Sequence, residues 1–226
     1  MTFPSLDGVP LDAWFIPYKG SDKIVVCNHP IWFNRYGLAS HLEPWKQIGG
    51  AGGNDFEVNF MPDYKHLHDA GYNVLTYDLR NFGHSGIGNA TYIAMTNHPE
   101  YFRDVRCMVN PQPVSLRPFY ERITEILGIE DQFDAIDREI QLITSFRIDD
   151  MSPVEYAKNC HVPTFVAQVH DDALTKPGDV QTIFDNIPTE EKKLHWIHGT
   201  TRRWDGYLFF PNNPDPLIEW FDKYMN

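Results

Sequence analysis

The residues in this 226-residue chain best able to do chemistry are its ten histidines, three cysteines and a late arginine–tryptophan–aspartate run. The closest histidine pairs are His66-Leu67-His68 and His195-Trp196-Ile197-His198. Residues two apart on a helix face different sides, and residues three apart on a strand point to opposite faces. Neither pair makes a metal clamp, so no metal site is expected. Gly86-Ile87-Gly88-Asn89-Ala90-Thr91 approaches a dinucleotide-binding glycine pattern, but it ends in threonine and does not open the fold; no cofactor is expected. Gly199 to Tyr207 (GTTRRWDGY) gathers basic, aromatic and polar residues. Arg202 or Arg203 could bind a substrate carboxylate there, and Asp205 could equally pair with an arginine to hold the loop itself. Ser85 stands just before an apparent helix, Asn89–Met95. A helix N-terminus favours developing negative charge, so Ser85 is the serine with a nucleophilic setting.

The elements that must position these groups follow from apolar patterning. Phe3–Leu6 and Leu11–Tyr18, separated by Asp7-Gly8, predict a hairpin. Lys23–Cys27 (KIVVC) is a continuous apolar run ending in Asn28-His29-Pro30, which predicts a strand buried on both faces. Pro62–Ala70 reads as a short helix stopped by Gly71, and Tyr72–Tyr77 as the next strand. Val105–Val109 is a candidate strand. Leu116–Leu127 and Phe133–Phe146 carry apolar residues at helical spacing; the acidic residues Asp131, Asp134, Asp137 and Glu139 read as a solvated face. Ser152–Asn159 reads as a helix capped by Ser152, with Pro153 in its first turn. Strand Thr164–Val169, helix Gly178–Asn186, strand Lys193–Ile197 and the amphipathic helix Asp215–Met225 complete the chain. Strands alternating with helices predict an α/β domain with a mostly parallel sheet.

Composition narrows the partners. Nineteen Lys and Arg against 31 Asp and Glu give a net charge of −12. Such a surface repels phosphate, so neither nucleic acid nor an anionic membrane is expected as a partner. No apolar run reaches the roughly 20 residues of a membrane span. The start, Met1-Thr2-Phe3-Pro4, has no signal-peptide pattern. Cys27, Cys107 and Cys160 are odd in number and far apart, which fits reduced thiols in a cytoplasmic protein.

The ordered set of KIVVC-NHP, YNVLTY-DLRNFGHSG and TFVAQV-HDDALTKP, with the last strand and closing helix, resembles an α/β-hydrolase of the dienelactone-hydrolase-like and esterase-like branch. The resemblance runs through nearly the whole chain. It implies one domain over residues 1–226, helices on both faces of the sheet and a helical cap at about 116–159. It also implies a nucleophile on a strained strand-to-helix turn, a histidine base, an orienting carboxylate and a pair of oxyanion-holding N–H groups.

In that frame Asp172 takes the acid position, with Asp171 in reserve. The loop His29, Pro30, Ile31 and Trp32 takes the oxyanion position. Where the family carries its histidine this chain has Arg203, which stays protonated and cannot act as a base. His198, just past the last strand, is the base by the same argument, with His170 as a second candidate. No G-x-S-x-G occurs; Ser85 is the nucleophile if the chain continues directly from strand to helix. A strand–helix crossover unit of about 30 residues is missing near Gly83–Thr91: either the protein has lost it, or the sequence skips a stretch there. Trp32, Phe33, Phe119, Tyr120 and Trp204 suggest an apolar acyl pocket. The resemblance therefore implies hydrolysis of an ester, thioester or related acyl bond in a small molecule, with a homodimer possible. The alternative is a hydrolase scaffold without catalysis that serves in binding or structure.

Overall fold

The computed structural model describes residues 1–49, 54–79 and 87–225. In chain order its elements are β1 (Thr2–Pro4), β2 (Pro10–Ile16), β3 (Ile24–Cys27), β4 (Gly37–Leu38), α1 (Trp45–Ile48), β5 (Val58–Asn59), α2 (Met61–Asp69), β6 (Asn73–Tyr77), α3 (Ile87–Asn97), β7 (Met108–Pro111), α4 (Leu116–Leu127), α5 (Phe133–Thr144), α6 (Pro153–Tyr156), β8 (Thr164–Val169), α7 (Pro177–Asn186), β9 (Lys192–Ile197), α8 (Arg203–Tyr207), α9 (Phe209–Asn212) and α10 (Asp215–Met225). Their contacts divide the chain into two compact units, residues 1–39, 56–87 and 207–226 in the first and 40–55 and 88–206 in the second. Among the described residues no helix is long and apolar enough to cross a membrane.

The first unit holds a four-stranded sheet in the order β1-β2-β6-β3. The predicted hairpin is β1–β2, closed by a turn in which Gly8 adopts φ +85°. β2 runs antiparallel to β6, and β6 runs parallel to β3. Consecutive strand residues point to opposite faces. One face carries the rows Trp14–Thr76–Cys27 and Ile16–Val74–Val25. Helix α2 lies on this face, where the Tyr64 hydroxyl meets the Thr76 hydroxyl at 3.0 Å. The other face carries Phe15, Leu75 and Val26 side by side. Here the expectation for KIVVC is corrected: Ile24 and Val26 are 43% and 51% exposed, because only the Val25 side of the strand is packed. Helix α10 buries Leu217, Trp220 and Phe221, and the Tyr72 hydroxyl at the base of β6 donates to Asp222.

The second unit is built on three parallel strands in the order β7-β8-β9. All six residues of the central strand β8 are buried. Its core packs Val166 with Tyr92 and Met95 of α3, Val180 and Ile183 of α7, and Ala157, Cys160 and Ile187. The candidate strand at Val105–Val109 starts three residues later, as β7. The predicted helix ends at 116, 127, 215 and 225 match α4 and α10. Two local expectations are corrected. Ser152 makes no side-chain capping bond to α6. Asp137 is buried rather than solvated: its carboxylate accepts the Ile148 N–H at 2.9 Å and is paired with Arg147 at 3.2 Å, fastening the chain after α5 back onto that helix. In place of one mostly parallel sheet, the described residues form a mixed four-stranded sheet, a two-stranded antiparallel pair β4–β5 and a wholly parallel three-stranded sheet.

Gly37 offers a direct check on the packing of the first unit. It sits at φ +137°, and a Cβ there would lie 1.8 Å from the backbone oxygen of Val58 on the paired strand β5. Backbone cannot yield as a side-chain tip can. Gly37→Ala is expected to lose about 3 kcal/mol or more, whereas Gly178→Ala in α7, which meets open space, is expected to hold or raise the urea midpoint.

Candidate active site

Two clusters follow the carboxyl ends of the parallel strands, where ligands bind in open α/β sheets. They belong to different units.

In the first unit, the loop after β3 carries the expected oxyanion residues. His29 is 1% exposed. Its Nε2 accepts the Leu79 N–H at 3.0 Å, and its Nδ1 faces the Pro30 carbonyl at 3.0 Å. An acceptor at Nε2 and a donor at Nδ1 define one neutral tautomer. Burial lowers the pKa of this ring, opposed by the Pro30 carbonyl and the Asp78 charge. His29 therefore ties the end of β3 to the end of β6, and both ring nitrogens are occupied. Pro30 has no N–H to give an oxyanion. Ile31 has one, and it finds no acceptor among the described residues. Trp32 adopts φ +69°, a left-handed conformation rare for a bulky side chain and found chiefly at strained functional loops.

Next on this loop is Arg35, which the sequence reading passed over. Its backbone N–H donates to Asp78 Oδ1 at 2.9 Å, its guanidinium pairs with Asp78 Oδ2, and its plane lies 4.7 Å from the Trp14 ring. Asp63, in the first turn of α2, is also unforeseen. Burial pushes its carboxyl up to about 8 and the neighbouring Cys27 thiol up to about 12. Neither thiol nor carboxyl carries a local sequence signal, because their burial comes from elements distant in the chain.

In the second unit, Asp172 is buried after β8, and its oxygens accept three N–H donors. Gln168 Nε2 and Arg203 Nη1 reach Oδ2 at 2.8 and 2.7 Å, and the Leu174 N–H reaches Oδ1 at 2.8 Å. Desolvation raises its pKa, opposed by the Arg203 charge and these donors. No histidine among the described residues donates to it.

Arg203, expected to meet a substrate carboxylate, turns inward. It also donates to Thr175 Oγ1 at 3.1 Å and to the Gln112 carbonyl, and it lies 5.3 Å from the Phe119 ring. Its exposure is 2%. Arg202 instead pairs with Asp205 through Nε and Nη2, both at 3.1 Å. Asp205 therefore holds the loop, the second of the two readings that GTTRRWDGY allowed. Trp204, proposed for the acyl pocket, is buried and donates to the Trp45 carbonyl at 3.1 Å.

Beside this buried pair is a more open one. His170 Nδ1 and Asp171 Oδ1 are 2.7 Å apart, and the His170 ring lies 5.0 Å from that of His198 and 5.3 Å edge-on to Trp196. The structure thus groups the reserve acid with the second histidine candidate, and leaves Asp172 with Arg203. Ser85 and the stretch from Gly83 to Gly86 lie outside the described residues. The paired histidines His66 and His68 each meet a backbone carbonyl, of Pro211 and Pro17.

No family model matches the sequence, and no curated protein sequence does. Solved structures do match. An esterase of Pyrococcus furiosus superposes with a TM-score of 0.66 and 18% identity, covering 100% of this chain and 90% of that one. The acetyl xylan esterase of Paenibacillus sp. R4 gives 0.61 and 13%, covering 99% and 82%. A soluble variant of the Saccharomyces cerevisiae monoglyceride lipase gives 0.55 and 13%, covering 99% and 95%. At these identities the likeness is one of fold, and that fold is the α/β-hydrolase fold.

Two measurements check these contacts. The folded chain resists protonating His29, whereas the unfolded chain takes up that proton below about pH 6.5. The stability that His29 contributes is therefore complete above that pH and is lost as the pH falls through its lower folded pKa. Between about pH 7.5 and 5.5, the urea midpoint of the wild type is expected to fall further than that of His29→Asn. For the second cluster, Arg203→Met leaves a buried carboxylate unpaired and is expected to cost about 3–5 kcal/mol. Adding Asp172→Asn removes that charge and recovers part of the loss; a double-mutant cycle measures the coupling.

Proposed function

We propose that the protein hydrolyses an ester, thioester or related acyl bond of a small-molecule substrate, without a cofactor. The observation that carries this reading is an imidazole beside a carboxylate at the carboxyl end of β8, on a fold that this chain shares with esterases and a lipase. Ser85 serves as the nucleophile, and the base is one of the strand-end histidines, His198 or His170. Ile31 and Trp32 contribute the oxyanion N–H groups, the first because its N–H has no acceptor among the described residues. The Asp172 carboxylate fixes the β8 loop together with Arg203. The free thiols Cys27, Cys107 and Cys160 suit a cytoplasmic location.

One observation favours a second reading. Asp172, the acid in the family's position, is sealed against an arginine. A protein that kept the fold and gave up catalysis to bind a small molecule would have this feature.

A serine-reactive fluorophosphonate and short p-nitrophenyl esters separate the two. Labelling and turnover above buffer, both lost in Ser85→Ala, are expected for the hydrolase. Absence of labelling and turnover in the wild type leaves the binding reading.

A further inference from the structure

We infer that His170, oriented by Asp171, is the general base of the hydrolysis proposed above, an inference that rests on that reading. Three groups compete for the acid–base roles in this unit, and their surroundings differ. Asp172 is closed off, because its side chain is 0% exposed and takes its donors from Gln168, Leu174 and Arg203, none of them a histidine. His198 has a ring neighbour but no carboxylate bound to either nitrogen among the described residues. His170 has what a base needs.

Its backbone is fixed, since the His170 N–H donates to the Ile197 carbonyl at 2.9 Å just where β8, the buried central strand, ends. Its ring packs against those of Trp196 and His198. The Asp171 carboxylate at Nδ1 selects the tautomer with the proton on Nδ1 and the lone pair on Nε2. Nε2 has no partner among the described residues, and the side chain is 39% exposed, so a reacting group can approach it. The Asp171 side chain is 62% exposed. Among the described residues, the titratable groups in contact with the ring are Asp171 and His198.

In the step assigned to it, Nε2 accepts the proton of the attacking O–H as that oxygen bonds to the acyl carbon. The resulting imidazolium, stabilised by Asp171, then gives this proton to the departing oxygen or sulfur as its bond to the acyl carbon breaks. Imidazole is regenerated; with water as the net reactant, the products are a carboxylic acid and an alcohol or thiol.

The test is steady-state hydrolysis of a short p-nitrophenyl ester by the full chain. His170→Ala is expected to lower kcat/KM about 100-fold or more, with its urea midpoint unchanged, and added imidazole is expected to restore turnover. Restoration distinguishes a lost base from a distorted loop. Asp171→Asn is expected to lower kcat with KM unchanged, and Asp171→Glu to regain part of it. Wild-type kcat/KM in His170→Ala, or a loss that imidazole does not restore while His198→Ala is rescued, overturns the inference and leaves the hydrolase reading standing. A wild-type chain without turnover or fluorophosphonate labelling overturns that reading, and the base assignment with it.

Discussion

The second unit depends on a single guanidinium kept out of water. Arg203 is almost wholly buried, and a charge in that position is tolerated only when its donors are matched. Asp172 supplies the opposite charge; Thr175 and the Gln112 carbonyl supply further acceptors. These partners come from the loop after β7 and the loop after β8, so one side chain fastens both to α8. Gly206, one turn further along α8, has no space for a Cβ because Gln112 fills it. The Gly49 carbonyl accepts the Arg203 N–H at 2.8 Å, and Trp204 occupies the space beside Gly49. A buried ion pair of this kind is weak evidence for net stability; its effect is to allow one arrangement of the loops and penalise the others.

That constraint bears on function through what it withholds. The Asp172 carboxylate, held by an arginine, an amide and a backbone N–H with its side chain 0% exposed, gives no access to an approaching imidazole. The neighbouring Asp171 points the other way, toward solvent, because consecutive residues leaving a strand diverge. The two aspartates of the HDD sequence thus divide the work: the inner one holds the loop, and the outer one orients His170. In the first unit the same division appears at the ends of β3 and β6. His29 and the Arg35–Asp78 pair are occupied with binding one strand-end loop to another, and the Ile31–Trp32 backbone is left as the strained, donor-bearing part.

Much of the fold was legible in the chain. KIVVC, YNVLTY and TFVAQV are short apolar runs bounded by turn residues, and each is a strand of the structure. Helices α4 and α10 begin and end where their apolar periodicity does, because that periodicity is the imprint of a packed face. The misreadings share a cause. Ile24 and Val26 look buried, yet are exposed, because a run of four apolar residues does not record how many faces are covered. Asp137 looks solvated, yet is buried, because its partners at 147 and 148 lie beyond the end of its own helix. The site was legible as a neighbourhood: the sequence picked out HDD, His198, Arg203 and the loop after Cys27. It could not rank them, since Asp171 and Asp172 are adjacent and chemically identical.

By itself the sequence determined the order and type of the longer strands and helices, the acidic surface and the set of residues able to act at the strand ends, because patterning, charge and residue chemistry are local properties. Only the tertiary structure decided the pairings: Arg203 with Asp172, His170 with Asp171 and His198, and His29 with Leu79. The interactions across longer stretches of chain join residues 31 and 50 positions apart. Desolvation makes each such choice consequential, and desolvation exists only once the chain has closed around the group.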